Sequence, residues 1–452
     1  MNTLSVPSSR TPHPGLYATP PWAYVLVYML PATFVGAYYA SPLGMTASSS
    51  TWALVILTFV LFPIVDAAVG TRWGEVLPPA SAPVRQRAGG GSRRSGAAAA
   101  TVGTAAAAAT SATTATTTGA SPAAPRRRHS DASRATSPSV AVDAPPPGTP
   151  RVDGDDGDGD ATVAAALATL RSTRGYRLPL LAWLPVQAAV TAWAVFTLPR
   201  SSPPLSGLGL VGGAMSLGIV DAVGTTVAHE LLHSPISAER SAAGALLVAV
   251  AYGHWSVAHV AGHHKVVATA DDTATALVDE SLYAFWLRSV KGGLVAAWTA
   301  DGGRSRRLIV RRAVATAGVA TAVAAIGGVT GLGLWAAGAA VAVALLETSN
   351  YVEHYGLRRE LVAYGSGSGS VPGPLTADHS WDAPPTLSSV LLFKLQAHAD
   401  HHLHPTEPYQ VLGRGGPRLP AGYPAMTLLA AVPPAWRAVM NPRADGAGAE
   451  RE

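Results

Sequence analysis

The amino-acid sequence predicts an all-α fold, an integral membrane bundle of six transmembrane helices. Three observations carry that expectation. Only 13% of the 452 residues are charged and 48% are hydrophobic, whereas about a quarter of an ordinary soluble domain is charged. Uncharged apolar stretches recur along the chain at about the 20 residues that a membrane helix needs. The arginines between these stretches gather on alternate turns, as they do when positive charge is retained on the cytoplasmic side.

Taken in order, residues 1–20 lack an acidic group; they are compatible with a targeting peptide and are read as a cytoplasmic N-terminal tail. The apolar run Trp22 to Ala40 is the first span. Trp52 to Val65, continuing past Asp66 to Gly70, is the second, so residues 21–78 form a transmembrane hairpin. Residues 79–170 turn abruptly to Ala, Thr, Ser, Pro and Gly, with an Arg126 to Arg128 run and an Asp-rich patch from Asp153 to Asp160. This low complexity predicts a disordered cytoplasmic insertion with no catalytic role. Leu178 to Leu198 and Leu205 to Ala228 form the second hairpin, turned at Ser201 to Pro204. The 34 uncharged residues from Ala313 to Leu346, with Gly327 and Gly328 near the middle, predict a tight third hairpin. Ala242 to Gly253 is too short to cross and is expected to be interfacial or re-entrant. Residues 171–443 are thus the main membrane domain, and 444–452 a C-terminal tail.

After an even number of crossings the chain is back on its starting face. Arg72, Arg171, Arg174, Arg177, Arg304, Arg306, Arg307, Arg311, Arg312, Arg358 and Arg359 follow even-numbered spans, while the opposite turns hold little more than Arg200. The shared face is therefore expected to be cytoplasmic. There is no cysteine, which excludes disulfide scaffolds, iron–sulfur clusters, cysteine zinc sites and a built-in rubredoxin-type iron. The net charge of +5 suits anionic lipid or an acidic protein partner, and no concentrated basic and aromatic pattern points to nucleic acid.

Histidine carries the chemistry. Twelve of fourteen lie beyond residue 228, and nine of those form four compact groups on the face just assigned. "HELLH" holds His229 and His233, and "HVAGHH" holds His259, His263 and His264. "NYVEHYGL" supplies His354, and "HADHH" holds His398, His401 and His402. Spacings of three and four place imidazoles on one helical face. A single histidine is ordinarily a hydrogen-bonded core or surface residue. Nine crowded beside a membrane core call for something that binds their lone pairs, since each unsatisfied buried polar group costs about 1–3 kcal/mol. Metal is the natural partner, with neutral imidazole suiting iron, zinc, copper or nickel. Nine ligands exceed what one ion uses, so two ions are expected. Glu230, Glu353 and Asp400 stand beside the histidines and are expected to accept the ring N–H that faces away from the metal, with Glu353 and Asp400, flanked by ligands, open to serving as ligands themselves. "HELLH" taken alone also fits a membrane zinc protease, with Glu230 as general base; the remaining groups are surplus to that mechanism. A non-enzymatic metal-binding or transport protein calls for ionisable residues midway through several spans, and these are scarce.

The set "HELLHS", "HVAGHHKVVATADD", "LETSNYVEHYGLRR" and "LQAHADHHLHPTEPYQ" resembles the integral-membrane non-heme di-iron alkane hydroxylases (alkane 1-monooxygenases), relatives of the membrane fatty acid desaturases. "NYVEHYGL" separates it from the desaturases. "PIVDAAVG" and "YRLPLLAWLPVQ" extend the likeness to residues 20–79 and 171–443. The chain departs from the family's pattern at Ala258, where Glu is usual, at Ser234, where Lys is common, and at Ala397, where Arg is common. The resemblance implies two iron ions and O2-dependent hydroxylation of the terminal carbon of an alkane or similar apolar chain held in membrane lipid. Other di-iron hydroxylases or desaturases, acting on fatty acyl or aromatic substrates, are the neighbouring alternative. With no cysteine and no flavin fingerprint, both electrons must come from a separate donor, by resemblance rubredoxin with its reductase or a ferredoxin. Arg304 to Arg312, Arg358 and Arg359 are expected to contribute to its docking surface. Asp66 and Asp221 are expected to snorkel from the cytoplasmic ends of their spans. Trp52, Ile56 and Phe59 are expected to line the substrate channel.

Overall fold

The computed structural model describes residues 19–40, 46–69, 157–301, 303–363, 370–384 and 387–449. The N-terminal tail up to residue 18 and residues 79–156 of the expected insertion lie outside them. A 3-10 run, Pro21–Tyr28, passes directly into α1 (Met29–Tyr39) and buries Tyr24, Val27, Leu30 and Phe34. Thr46 caps α2 (Ala47–Ser50) by accepting the Ser49 N–H at 3.3 Å. α3 (Ala53–Ile56), a widened π-helical turn at Leu57–Leu61 and α4 (Phe62–Val69) continue the apolar path.

α5 (Gly157–Ser172) corrects one expectation, because its residues fall partly within the segment assigned to disorder. The run from Ala164 to Leu170 combines strong helix formers. Leu167 is buried, and Arg171 makes a bidentate pair with Glu407 at 2.7 and 2.8 Å. α6 (Arg177–Thr197) and α7 (Gly207–Leu232) follow, and Ser206 caps α7 at Gly209 N–H, 3.1 Å. α7 is buried along most of its length. Its glycines permit close approach of neighbouring helices: a Cβ at Gly218 would collide with the Val341 side chain.

The short run at Ala242 to Gly253 becomes α8 (Ser237–Ala249), a helix of 13 residues packed against α7. α9 (Trp255–Val257), a π-helical stretch at Ala258–His263 and α10 (His264–Val266) carry the second histidine group. α11 (Leu282–Thr299) buries Leu282, Phe285, Ser289, Gly293 and Ala297 along one face. α12 (Arg304–His354) is a 51-residue helical run interrupted at Gly328, whose φ of 62° and ψ of −160° suit only glycine. Among the described residues, four helical runs are long and apolar enough to cross a membrane: Ala47–Ala68, Arg174–Arg200, Gly207–Leu232 and Arg304–His354.

Beyond them, β1 (Leu361–Ala363) pairs antiparallel with β2 (Ser370–Pro372), Val362 opposite Val371. α13 (Leu387–Leu391), α14 (His398–Leu403), α15 (Tyr423–Ala430) and α16 (Pro433–Ala449) complete the chain. α16 runs past residue 443, where a tail was expected, and Ala444 is buried where Gly356 leaves room for it. One core surrounds Trp183, Leu217, Val220 and Val227 in the bundle, and a second gathers Tyr351, Tyr355, Trp381, Trp436 and Met440 at its C-terminal end. Neither intramembrane aspartate snorkels. Asp66 is buried and accepts the Ser388 hydroxyl at 2.6 Å, tying α4 to α13. Asp221 is 1% exposed within the bundle, beside Gln187 of α6.

Candidate metal centre

The end of α7, the Trp255 to Val266 helical segment, the end of α12 and α14 bring all nine singled-out histidines into two groups. His229, His233, His259, His264 and His401 form the first, and His263, His354, His398 and His402 the second. Within each group one ligand atom per residue lies within 4.8 Å of every other. In the first, His259 Nε2 is 3.1 Å from His233 Nε2 and 3.0 Å from His264 Nε2, and His264 Nε2 is 3.3 Å from His401 Nε2. In the second, His402 Nε2 is 3.2 Å from His263 Nε2 and 3.1 Å from His398 Nε2.

His229 and His233 share a centre, as their i, i+4 spacing on α7 predicts. The second box does not follow that rule. Its π-helical stretch turns more slowly than an α-helix, so His259 and His264, five apart, face one centre while His263 faces the other. α14 is likewise divided: His398 and His402 meet on one side, and His401 crosses to the first group. Two short helices are thus shared between both centres, which fixes the distance between them.

The donor set fits metal ions. Burial first, then the charge of neighbouring imidazoles, pushes His259, His264, His398, His401 and His402 well below the usual imidazole range. His233 is pushed down to about 4 by the same causes. The rings are therefore neutral, and each has one nitrogen free of a proton. The buried Nε2 atoms of His229 and His354 have no hydrogen-bond partner among the described residues. Ligand nitrogens held about 2.1 Å from one ion lie roughly 3.0–3.4 Å apart, which is the spacing seen between the facing Nε2 atoms.

The outer partners differ from those expected. His263 Nδ1 donates to Asp272 Oδ2 at 2.8 Å, and Asp272 also accepts the Thr275 hydroxyl at 2.6 Å. His354 Nδ1 donates to the His379 carbonyl at 3.1 Å. Each bond places the N–H on Nδ1 and leaves the Nε2 lone pair for the centre. Asp272 was missed; the signal was the "ADD" nine residues after His263, on a loop that folds back to it. Glu353, expected either beyond a ring or as a ligand itself, points inward: its Oε2 lies 3.1 Å from His398 Nε2, and its Oε1 accepts the Tyr423 hydroxyl at 2.8 Å. Glu230 accepts the Tyr409 N–H at 3.1 Å, linking α7 to a distant loop. Asp400 accepts from His404 Nδ1 and from the Gly413 N–H, both at 2.7 Å, and so secures α14 to the loop beyond it.

An apolar cavity of about 90 Å³ is lined by Phe59, Phe62, Ile219, Val223, Leu346 and Tyr423 among others, and Tyr423 connects it to Glu353. Of the three channel residues expected, only Phe59 lines it. Ile56 is 53% exposed on the outer side of its helix, and Trp52 donates its ring N–H to Leu208 O at 3.0 Å. The π-helical turn between Ile56 and Phe62 shifts the register and so divides these residues. Of the expected docking arginines, Arg312 turns inward to Gly253 O at 2.9 Å and Arg359 to Gly373 O at 2.7 Å. Arg304, Arg307 and Arg311 instead line an open groove with Val260 and Ala261 of the second histidine group.

Residues 206–430 match the family model for fatty acid desaturase. The chain is 36% identical over 285 residues to alkane 1-monooxygenase 2 of Pseudomonas aeruginosa, covering 59% of this chain and 73% of that protein. It is 37% identical to alkane 1-monooxygenase 1 of the same organism, over 59% of this chain and 72% of the other. Against alkane 1-monooxygenase of Ectopseudomonas oleovorans the identity is 35%, over 62% and 72% of the two chains.

Proposed function

Because the chain belongs to the alkane 1-monooxygenase family, within the fatty acid desaturase superfamily, we propose that it is a membrane oxidoreductase that hydroxylates the terminal carbon of alkanes or similar apolar chains with two iron ions. The observation that carries this reading is the convergence of nine imidazoles on two points beside a cavity that is apolar. His229, His233, His259, His264 and His401 hold one ion. His263, His354, His398 and His402 hold the other, with Glu353 as an oxygen donor beside it. Iron bound there supplies the activation of O2 that acid–base side chains alone cannot give against an unactivated methyl group.

The protein's own side chains do the rest. Phe59, Phe62, Ile219, Val223 and Leu346 give a hydrocarbon chain a water-free path. Tyr423 closes the cavity at the metal end, where its hydroxyl holds Glu353. Asp272 and the His379 carbonyl fix the rings of His263 and His354 with their lone pairs inward.

The helices fit six crossings if Pro21–Tyr39 counts as the first and α12 as a hairpin turned at Gly328. The arginine bias of the sequence supports a metal centre on the cytoplasmic side. Electrons come from a separate donor, a rubredoxin or ferredoxin with its reductase. The groove of Arg304, Arg307 and Arg311 suits an acidic carrier, since Val260 on its wall follows His259 directly in the chain. Reversing these three charges is expected to slow donor-driven turnover and flatten its salt dependence; unchanged behaviour would remove the groove from the account. The function itself is tested by quantifying iron in the purified protein and assaying donor-driven terminal oxidation across alkanes, fatty acids and aromatics. Iron-free protein, or turnover confined to another substrate class, would overturn it.

A further inference from the structure

On another side of the metal centre lies a second cavity, of about 60 Å³, with a different lining. His259 and His263, one from each histidine group, form part of its wall. Asp271, exposed to solvent, and Asp272, buried, line it together with Ser289 and Glu347. A water occupies at least about 10–15 Å³ of such space and needs two to four polar partners, so a short file of waters fits. Glu347 is 1% exposed. Its Oε1 accepts the Tyr252 hydroxyl at 2.7 Å, and its Oε2 accepts the Ser289 hydroxyl at 2.5 Å and the Asn350 amide at 3.2 Å. Three neutral donors surround a buried carboxyl that has no cationic partner among the described residues. Removing a carboxylate from water without a counter-charge is costly. Packing alone gives no reason to keep one here, where an apolar residue of similar size would serve.

We propose that this cavity is the route by which protons reach the metal centre from solvent, entering beside Asp271 and passing along bound water, with Glu347 as the proton-carrying side chain at its inner end. The inference rests on the monooxygenase reading, whose stoichiometry creates the need. One oxygen atom of O2 enters the new C–O–H group and the other leaves as water, consuming two electrons from the donor and two protons from solvent. The apolar cavity cannot deliver those protons. Tyr252, Ser289 and Asn350 are positioning residues that hold the Glu347 carboxyl.

Two variants and two kinds of readout test the route. Glu347→Gln keeps the volume and the hydrogen-bonding shape but cannot carry a proton. Gly293→Leu plugs the cavity: Gly293 lines it, and a Cβ there meets nothing closer than Ala258 Cβ at 3.7 Å, so the added side chain has room to enter. With iron content and substrate KM unchanged, both are expected to lower donor-driven kcat at least about tenfold, within the range for lost proton transfer, and to enlarge the solvent deuterium isotope effect. Independently of turnover, radiolytic hydroxyl labelling of the full chain in lipid nanodiscs is expected to modify Trp255, which lines this cavity and is only 5% exposed, and to lose that modification in Gly293→Leu. Turnover within about twofold of the parent in both variants, or an unlabelled Trp255 in the parent, would overturn the route. A parent without iron would instead overturn the monooxygenase reading, and the labelling would still report whether the cavity holds water.

Discussion

Two cavities flank the histidine cluster and differ in lining: one is apolar and meets the cluster only through Tyr423, whose hydroxyl holds Glu353, and the other has His259 and His263 in its own wall. One is walled by Phe59, Phe62, Ile219, Val223 and Leu346 and ends at Tyr423. The other is walled by Asp271, Asp272, Ser289, Glu347 and Asn350 and ends at His259 and His263. The difference teaches that this centre must be reached by two species that cannot share a path. A hydrocarbon gains about 0.8 kcal/mol for each methylene withdrawn from water, whereas protons travel only where water and hydrogen-bonding groups persist. Helix packing keeps the two apart: the apolar cavity lies among α1, α4, α7, α12 and α15, and the polar one among α9, its π-helical continuation, α11 and α12.

The comparison breaks most completely at the shared centre. His398→Ala removes a ring that faces both His402 and Glu353; donor-driven turnover is expected to fall below detection, and the metal held by the second group to be lost. Asp272→Asn comes next, because it weakens the bond that aims His263 from the polar side. A loss of about 10–100-fold in metal affinity or activity is expected, to be read by metal titration. The apolar side is sharpened by paired substitutions at its wall and outside it. Ala222→Leu narrows the cavity and is expected to shift products toward shorter chains, one methylene being worth about 1–3 kcal/mol of discrimination. Ile56→Ala, on the outer surface, is expected to leave the chain-length profile unchanged. Tyr423→Phe removes one hydrogen bond to Glu353, worth about 0.5–1.5 kcal/mol, and is expected to lower turnover a few-fold with little change in the profile.

The smallest effect is on stability. The folded chain holds His233, His259, His264, His401 and His402 below the ordinary imidazole pKa, through burial and mutual repulsion. Below about pH 6.5 the unfolded chain therefore binds more protons than the folded one. This imidazole contribution is expected to cost the metal-free protein stability as pH falls from about 6.5 toward the folded values and to stay constant above it. Thermal unfolding of metal-free protein against pH checks the sign; bound metal is expected to oppose the loss, since it competes with protons for the same nitrogens.

Much of this was legible in the sequence because its signals are local. Unbroken apolar length marked the helices, histidines at spacings of three and four marked three of the segments that meet, and "NYVEHYGL" marked the fourth. The run read as a third hairpin has Gly327 and Gly328 near its middle, and the backbone departs from helical geometry at Gly328. What escaped was set by non-local geometry. Asp272 reaches His263 through a loop, and a spacing of nine is no helical signal. The partition of His259, His263 and His264 depends on a π-helical turn that hydropathy does not reveal. α11 was overlooked because Arg288 and Lys291 interrupt its apolar residues. Glu347 and Glu353, six residues apart on α12, read alike in the sequence, yet one faces the polar cavity and the other the histidines.

The most direct test is the iron content of the full chain purified in lipid, measured beside His233→Ala and His402→Ala, one variant for each group. Two irons per parent chain, with each variant losing a different one of the pair, is the predicted result. A single zinc, or a parent that takes up no iron on reconstitution, would contradict the account.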